Sequence, residues 1–414
     1  MRVDLRNVHR PSAADLLTGS AGLGTVGEPS VAVVNDHILL TGNWYAARSL
    51  NRGAKWQALD PYNYLVPAPP TDFCCDQSVY RDEAHDLTFW LLQYQKSATD
   101  NTLRVAVKQG ATLAGDDWTW WDLSPTTIDP TWTSEWFDFN HISSSSDHVF
   151  IGTNVFGLGG KSMFRSVVLR ISFQSILDAL AAGGSLDIEF LEDDLAGTLH
   201  CVHGATDTMY IAGHIGTDTV RLYRWDASDP NATSVDIAVS PWDDATYSAP
   251  GPDGSDWITR ADDRITGAWL SGGRVGLMWS SGSLNTKRPL PYVRVVIIDP
   301  ATSAVVAEPD IWSDEVAYAW PSARPNADGQ IGVTMFRGGG QKNPGHVVGG
   351  WDDAAEGWVL TVAVDGTNGP NDDKWGDYVT CCVAGDAFLA AGYTLQGGGT
   401  LQNVAPDLVE FALV

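Results

Sequence analysis

Basic residues and long apolar runs are scarce in this sequence. Lys and Arg number 25 against 51 Asp and Glu, which gives a formal net charge of −26. Because phosphate binding needs concentrated positive charge, this balance argues against nucleic acids and anionic membrane surfaces as partners. No run of about 18 apolar residues occurs, so we expect no membrane insertion.

Cysteine is also rare, with only Cys74, Cys75, Cys201, Cys381 and Cys382. Their spacing matches neither a disulfide framework nor the paired CxxC pattern of zinc sites. We therefore interpret them as buried strand residues.

The first residues, MRVDLRNVHRPSAADL, contain no apolar core of the kind that a secretory signal carries. Localisation is left open, with a secreted or periplasmic location as the alternative if a signal peptide has been removed.

What the sequence does contain is a repeated β-hairpin pattern, in which a short apolar strand is followed by a tight turn and a second strand. The units recur at intervals of roughly 50 to 65 residues, a period typical of stacked or radially arranged β units. The last residues of the second strands are Asn43, Tyr94, Asn154, His214, Trp279, Phe336 and Tyr393.

A third apolar run follows most hairpins, for example at residues 167–171, 220–225 and 292–298, and a fourth follows in several units. Four strands per unit indicate propeller blades. We predict an all-β, seven-bladed β-propeller with four-stranded antiparallel blades that uses residues 1–414 as one domain. Residues 1–26 are expected to form an approach segment that crosses or closes the ring, and the blades to begin near residues 28, 75, 139, 200, 260, 319 and 376.

Two short segments resemble a known superfamily. Residues 49–56, SLNRGAKW, are similar to the Asp-box S-x-D-x-G-x-T-W of sialidase-like (BNR repeat) propellers, with Asn51 at the usual Asp. Residues 374–378, KWGDY, resemble the entry to a blade in uncharacterised BNR-like propellers. The sequence lacks an Arg-Ile-Pro near its N-terminus, and the family's arginine triad has no counterpart that we can place. The resemblance therefore implies a sialidase-like fold rather than sialidase activity.

Long loops rich in Asp, Pro, Gly and Trp precede the first strands of several units, at residues 58–73, 115–136, 241–256 and 366–374. In a four-stranded meander, these loops and the ends of the second strands lie on one face, where they can form a pocket. We predict catalytic residues there at Asp76, His214, Arg337, Asp377 and Tyr393. We predict substrate-binding residues at Glu28, Trp44, Tyr94, Asn154, His203, Trp279, Trp320 and Tyr378.

Carboxylates beside aromatic rings suit a glycan ligand, because the rings stack on sugar C–H faces while polar groups bond the hydroxyls. We therefore predict a carbohydrate-active enzyme. As a glycoside hydrolase it would use two of Glu28, Asp76 and Asp377. As a polysaccharide lyase it would use Arg337 with Tyr393, or His203 with His214. The alternative is a non-catalytic propeller that binds a glycan or a protein.

No cofactor is predicted, and two metal sites are kept as alternatives. Asp-rich turns such as Asp243 with Asp244 could hold Ca²⁺. His200, His203 and His214 come from one unit and could hold a transition metal. Since residues 200 and 203 point to opposite faces of a regular strand, at most two of these histidines can converge.

Overall fold

Seven four-stranded antiparallel sheets surround a central channel in the computed structural model, which describes residues 1–18, 22–160, 163–284, 287–398 and 403–414. Blade one is β2 (Ser30–Val34), β3 (His37–Gly42), β4 (Tyr45–Ser49) and β5 (Gln57–Leu59). Blade two is β6 (Phe73–Asp82), β7 (Leu87–Tyr94), β8 (Leu103–Gln109) and β9 (Thr119–Leu123). Blade three is β10 (Glu135–Ser144), β11 (His148–Gly157), β12 (Met163–Ser172) and β13 (Ile188–Asp193).

The remaining blades follow the same order from the channel outwards. Blade four is β14 (His200–Cys201), β15 (Thr208–His214), β16 (Thr219–Asp226) and β17 (Thr233–Ala238). Blade five is β18 (Ile265–Ser271), β19 (Arg274–Ser281), β20 (Tyr292–Asp299) and β21 (Ala304–Ala307). Blade six is β22 (Ala317–Pro325), β23 (Ile331–Gly339), β24 (Lys342–Asp352) and β25 (Gly357–Val364). The predicted seven-bladed architecture is confirmed.

The seventh blade joins the two ends of the chain. It consists of β26 (Thr380–Ala384), β27 (Ala387–Gln396), β28 (Asn403–Leu413) and, outermost, β1 (Val3–His9). β1 pairs antiparallel with β28, with Val3 opposite Leu413 and His9 opposite Leu408. The expected approach segment thus begins with a strand that closes the ring; its residues 19–21 lie outside the described part of the chain.

Hydroxyl side chains tie the innermost strands of neighbouring blades together. Each bonds a backbone N–H or C=O group of the next innermost strand or of the residue just after it, at donor–acceptor distances between 2.6 and 3.0 Å. The hydroxyl residues are Ser30, Ser78, Ser143, Thr266 and Thr380. Because innermost strands of different blades share no β-ladder, these bonds satisfy backbone groups that would otherwise line the channel unpaired.

Large aromatic side chains fill the space between blades. Trp242 and Trp279 meet edge to face at 5.0 Å between ring centroids, and Trp257 meets Trp320 at 5.5 Å. Trp90, Trp225, Trp257, Trp279 and Trp375 are all fully buried. The many tryptophans therefore serve mainly to fill the wedge that widens away from the axis.

The segment that resembles an Asp-box forms the turn between β4 and β5. The Ser49 hydroxyl accepts a hydrogen bond from the Gly53 amide at 2.8 Å, and Asn51 Oδ1 accepts one from the Lys55 amide at 2.8 Å. Trp56 packs against the cluster between blades one and seven. An Asn side chain thus makes the turn-stabilising bonds that an Asp oxygen can make.

Helices are short and peripheral: α1 (Ala13–Leu16), α2 (Pro125–Ile128) and α3 (Phe173–Ala182). α3 begins with the Ser172 hydroxyl accepting from the Ser175 amide and ends at Gly183, whose φ is +74°. Among the described residues, no helix has the length and apolar character needed to cross a bilayer.

Candidate functional site

Four carboxyl groups converge at the loop-rich end of the central channel. Glu28, Asp76, Asp138 and Asp377 come from blades one, two, three and seven, which are consecutive around the closed ring. The Asp377 backbone amide donates to Glu28 Oε1 at 3.2 Å, and Asp76 feels the charges of the other three. We call these four residues the carboxyl cluster.

Irregular backbone at the start of the innermost strands turns these side chains towards the axis. The register of β10 shifts between Asp138 and His141, and that of β6 shifts between Phe73 and Gln77. Glu28 and Phe139 have φ values of +43° and +57°. Such conformations cost on the order of 1–3 kcal/mol each for non-glycine residues and concentrate at functional sites.

The bulge in β6 holds a disulfide between the adjacent residues Cys74 and Cys75. Our interpretation of these two cysteines as simple buried strand residues was therefore wrong, because the bulge brings their sulfur atoms together. The Cys74 carbonyl also accepts from Trp44 Nε1 at 2.9 Å. The segment that carries Asp76 is thus fixed by one covalent bond and one inter-blade hydrogen bond. Cys201, Cys381 and Cys382 are free and buried, as expected.

Two arginines from the approach to β18 face the carboxyl cluster. Arg264 lies 3.1 Å from Asp377 Oδ2 and 2.8 Å from Asp262 Oδ2, and its guanidinium stacks 4.0 Å above the Phe139 ring. Arg260 is more exposed and lies 3.6 Å from Asp377 Oδ1. Both positive charges at the site are therefore engaged with Asp377.

The cluster holds four carboxyl groups, which is more than these two cations can neutralise, and the pKa values of three of the four are raised. Burial, followed by the charge of Asp377, raises the pKa of Glu28 to about 7. Burial and the charges of the other three acids raise the pKa of Asp76 well above its usual value. Burial also raises the pKa of Asp138. The site therefore binds protons more tightly than isolated carboxyl groups do.

The four carboxyl groups differ in their hydrogen-bond partners, and this difference limits what each can do. Glu28 Oε2 accepts from Asn43 Nδ2 at 2.8 Å, and Asp138 Oδ1 accepts from Gln93 Nε2 at 2.8 Å. Asp76 has no hydrogen-bond partner among the described residues, although it is partly buried. Asp76 is therefore the carboxyl group of the cluster with a raised pKa and with oxygens available to a ligand.

Of the predicted site residues, Glu28, Asp76, Asp377 and Tyr378 lie together at the channel. Tyr378 is buried beneath the carboxyl cluster, its hydroxyl donates to the Gln77 carbonyl at 3.3 Å, and its ring meets Phe139 edge to face at 5.9 Å. Trp44 is half-buried at the rim, next to the Cys74 carbonyl. Trp44 is thus the predicted aromatic residue that keeps part of its ring accessible beside the cluster.

Four other predicted residues lie inside the protein core rather than at a pocket. Tyr94, Trp279 and Trp320 are 1%, 0% and 2% exposed. Tyr393 is fully buried, and its hydroxyl accepts from the Gly376 amide at 2.7 Å while donating to the Thr25 carbonyl at 2.8 Å. Tyr393 therefore positions the segment before Asp377 and has no accessible hydroxyl.

Of the remaining predicted residues, Asn154 lies opposite Asp138 in the β10–β11 ladder, whereas Arg337, His214 and His203 contact other groups. Asn154 donates to Thr198 Oγ1 at 2.9 Å, and Arg337 pairs with Asp365 at 3.1 Å. His214 packs between Trp242 and Trp279, with Nδ1 3.4 Å from Asp263. His203 lies beyond the short strand β14, near the opposite end of the channel, against Tyr80 and Arg324.

Asp138 and Arg264 belong to the site but were missed in the sequence. Asp138 is a lone acid in the aromatic run of residues 136–140, WFDFN, and Arg264 follows two aspartates directly before an innermost strand. A charged side chain inside an otherwise apolar strand entry is the signal that could have identified Asp138, whereas Arg264 lies in a charged run and carries no such signal.

Metal binding has no ready set of ligands here. Within the described residues, no group of three or more His, Cys, Asp or Glu side chains is arranged to hold an ion. The three histidines considered for a transition metal do not converge, since His214 and His203 lie at different ends of blade four.

Comparisons with known proteins describe the architecture. No protein-family model and no curated protein sequence matches the chain, so the relation to Asp-box propellers stays a prediction. The Trypanosoma rangeli sialidase bound to the inhibitor DANA is 10% identical with a TM-score of 0.45, over 80% of this chain but only 58% of the sialidase, which is under two thirds of its length. A Penicillium chrysogenum α-L-arabinanase complexed with arabinobiose is 8% identical with a TM-score of 0.46, over 99% of both chains.

A Fusarium graminearum α-L-arabinofuranosidase in complex with an iminosugar inhibitor is likewise 8% identical, with a TM-score of 0.45 over 99% of this chain and 98% of its own. At such identities the activities of these proteins do not transfer to this chain.

Proposed function

We propose that this protein is a glycoside hydrolase whose active site is the carboxyl cluster. The observation that carries the proposal is Asp76, whose pKa is raised well above its usual value by burial and neighbouring charges, and which has no hydrogen-bond partner among the described residues. A general acid in glycoside hydrolysis must hold its proton near neutral pH and deliver it to the leaving oxygen. The raised pKa and the unpartnered oxygens of Asp76 support this role.

The second carboxylate of the reaction is Asp377. Arg264 at 3.1 Å and Arg260 at 3.6 Å supply positive charge beside it. An ionised carboxylate opposite the general acid can act as nucleophile or can activate a water molecule. Glu28 and Asp138 complete the polar wall around the two and are bonded to Asn43 and Gln93. Trp44, half-buried at the rim, offers a ring face on which a sugar can stack.

The charge balance favours a glycan without carboxylate groups. A sialic or uronic acid residue would need a free cation to bind its carboxylate, whereas Arg264 and Arg260 already face Asp377. Bringing another negative charge to a cluster with raised carboxyl pKa values would raise them further. We therefore place neutral glycans, such as those of pentoses or hexoses, ahead of acidic ones.

The two residue pairs considered for a lyase lack the required juxtaposition. The Tyr393 hydroxyl is taken up by two backbone groups, and Arg337 pairs with Asp365 in blade six. His203 and His214 contact different sets of side chains at different ends of blade four. β-Elimination is therefore not the reaction we propose.

The test is a substrate screen followed by paired substitutions. The purified protein is incubated with neutral polysaccharides and oligosaccharides and with sialylated and uronic-acid polymers, and new reducing ends and absorbance at 235 nm are recorded. We expect reducing ends from a neutral glycan without absorbance. Asp76→Asn and Asp377→Asn should each lower the rate at least about a hundredfold, the lower range for loss of a catalytic acid or base.

Asp178→Asn serves as the matched control, because Asp178 is an exposed aspartate in the peripheral helix α3. Rates within a few-fold of wild type for both site variants would refute the assignment. Saturable glycan binding with no product from any substrate would replace hydrolysis with the non-catalytic binding alternative.

A further inference from the structure

A small cavity lies beneath the carboxyl cluster, inside the same channel. Phe139 and Tyr378 line the end of this cavity nearest the carboxyl cluster, and the cavity has a volume of about 70 Å³. Since one buried water needs roughly 10–15 Å³ by this measure, the cavity holds about five waters or one small ligand, and it is too small for a sugar ring. This cavity therefore lies outside the glycan site proposed above and needs an occupant of a different class.

Two histidines with unpartnered imidazole nitrogens line this cavity. His141 and His200 stack with their centroids 4.2 Å apart, and both nitrogens of His141 and Nδ1 of His200 are buried without a hydrogen bond to any residue that the structure describes. His200 is only 6% exposed. Burial lowers the pKa of His200 to about 4 and that of His141 well below its usual value, so both rings are neutral and each carries one N–H donor. Buried polar atoms of this kind require a partner inside the cavity.

One positive charge faces the same cavity. Arg324 lies at the end of the cavity that is farther from the carboxyl cluster. Its guanidinium is 4.8 Å from the Tyr80 ring and in hydrogen-bond contact with His203 Nδ1. His203 is kept neutral there, because burial and the adjacent Arg324 charge lower its pKa. No ion pair joins Arg324 to a carboxylate in the described ranges, in contrast to Arg81 nearby, which pairs with Asp86.

We propose that this cavity binds one small monovalent anion, of halide or formate size, between Arg324 and the His141–His200 pair. An anion supplies the charge that the partly buried guanidinium lacks and accepts from the imidazole N–H groups, whereas water alone leaves the charge uncompensated. The cavity lining contains no Asp or Glu side chain that would repel an anion.

The anion enters from the face opposite the carboxyl cluster. Arg324 and Tyr80 line both this cavity and a second pocket that opens on that face beside Arg81 and Glu83. Entry from the other side would require an anion to pass the carboxyl cluster and then the side chains of Phe139 and Tyr378. Glu83 and Arg81 carry opposite charges at the mouth, and Arg324 attracts the anion beyond them.

Thermal unfolding at constant ionic strength provides the first test. Chloride is exchanged for gluconate, a sugar acid too large for the cavity. A hundredfold excess of chloride over its Kd should raise the unfolding temperature by about 3 °C for a chain of this length. Arg324→Met should abolish the difference, and Arg224→Met, which removes an exposed arginine paired with Asp226, should retain it. Equal unfolding temperatures of the wild-type protein in both salts would overturn the proposal.

Bromide gives a second readout that needs no variant. Crystals of the wild-type protein soaked in sodium bromide should show an anomalous peak in contact with the Arg324 guanidinium. Ordered water in the cavity without an anomalous peak would overturn the proposal, whatever the fate of the hydrolase assignment. Conversely, loss of hydrolysis in the Asp76 or Asp377 variants would leave the bromide peak unchanged.

Discussion

The Asp377 backbone amide donates a hydrogen bond to Glu28 Oε1 at 3.2 Å, although the two residues are 349 positions apart. Closure of the ring places the start of blade one beside the start of blade seven, so the pair exists only in the complete propeller. The second oxygen of Glu28 accepts from Asn43 Nδ2, and the side chain is 3% exposed. Glu28 therefore joins the two blades and adds one more carboxyl to the cluster.

Glu28→Gln should stabilise the protein at high pH. The pKa of Glu28 is about 7 in the folded protein against an ordinary value of 4.5, so the native state holds a proton that the unfolded chain releases. Wild-type stability therefore falls as pH rises from 4.5 through 7. The variant, which does not titrate there, should exceed wild type by roughly 3 kcal/mol at pH 8 and match it near pH 4.

The new amide finds partners without rearrangement. Its oxygen can accept from the Asp377 amide. Its NH₂ group can donate to Asn43 Oδ1, which has no partner among the residues described and becomes available by an amide flip. Denaturant unfolding of both proteins at pH 4, 6 and 8 measures the difference. A gap that is constant across these three pH values would show that Glu28 does not retain its proton.

Tyr393→Phe should loosen the segment that presents Asp377. The substitution removes the hydroxyl that accepts from the Gly376 amide and donates to the Thr25 carbonyl, while the ring can remain stacked on Trp375 at 4.6 Å. Buried groups left without partners cost about 1–3 kcal/mol. We expect a lower free energy of unfolding together with a reduced rate of hydrolysis.

Since Tyr393 positions Asp377 and transfers no proton, the pH dependence of the remaining activity should keep its wild-type shape. Phe336→Leu is the comparison, because Phe336 packs in the same cluster but has no hydroxyl. A shifted pH profile in the Tyr393 variant would instead assign the phenol a role in proton transfer.

Thiol counting checks the cysteine assignment. With Cys74 and Cys75 in a disulfide, the denatured protein should react with three equivalents of a thiol reagent, and with five after reduction. The folded protein should react slowly, because burial raises the pKa of the Cys201, Cys381 and Cys382 thiols. Five equivalents from denatured, unreduced protein would exclude the disulfide.

The propeller could be predicted because its signal is periodic. Alternating apolar residues give each hairpin a buried pattern, and the recurrence of hairpins gives the number of blades. The same connectivity predicted that Glu28, Asp76 and Asp377 lie at one end of the channel, and their role as site residues stays a prediction. All three precede or begin an innermost strand, where the chain direction determines the face.

The details of the site could not be predicted because they depend on irregular backbone. The bulge at Asp138 and the positive φ of Phe139 break the two-residue alternation, so the pattern gives no direction for their side chains. Trp279 and Trp320 were expected at the pocket, yet their rings fill the wedge between blades, where large apolar area gains most by burial. The position of a residue in the repeat determines at which face of the propeller it lies, whereas packing determines whether its side chain reaches the surface.

His346 and Asp407 should form an energetically coupled pair between blades six and seven. His346 Nδ1 lies 2.5 Å from Asp407 Oδ1, the His346 Nε2 contacts Thr334 Oγ1 at 2.6 Å, and both side chains are almost fully buried. Asp407 Oδ2 has no hydrogen-bond partner in the part of the chain that the structure describes. His346→Phe leaves the carboxyl group buried alone and should lower the free energy of unfolding by about 3–5 kcal/mol.

The double variant His346→Phe with Asp407→Leu removes both polar groups and should cost less than the sum of the two single variants, because no buried group is then left unpaired. Urea unfolding of the four proteins completes a double-mutant cycle. A coupling energy near zero would mean that the two side chains act independently, and that the contact between these blades depends on apolar packing such as that of Val348 with Phe388 and Leu413.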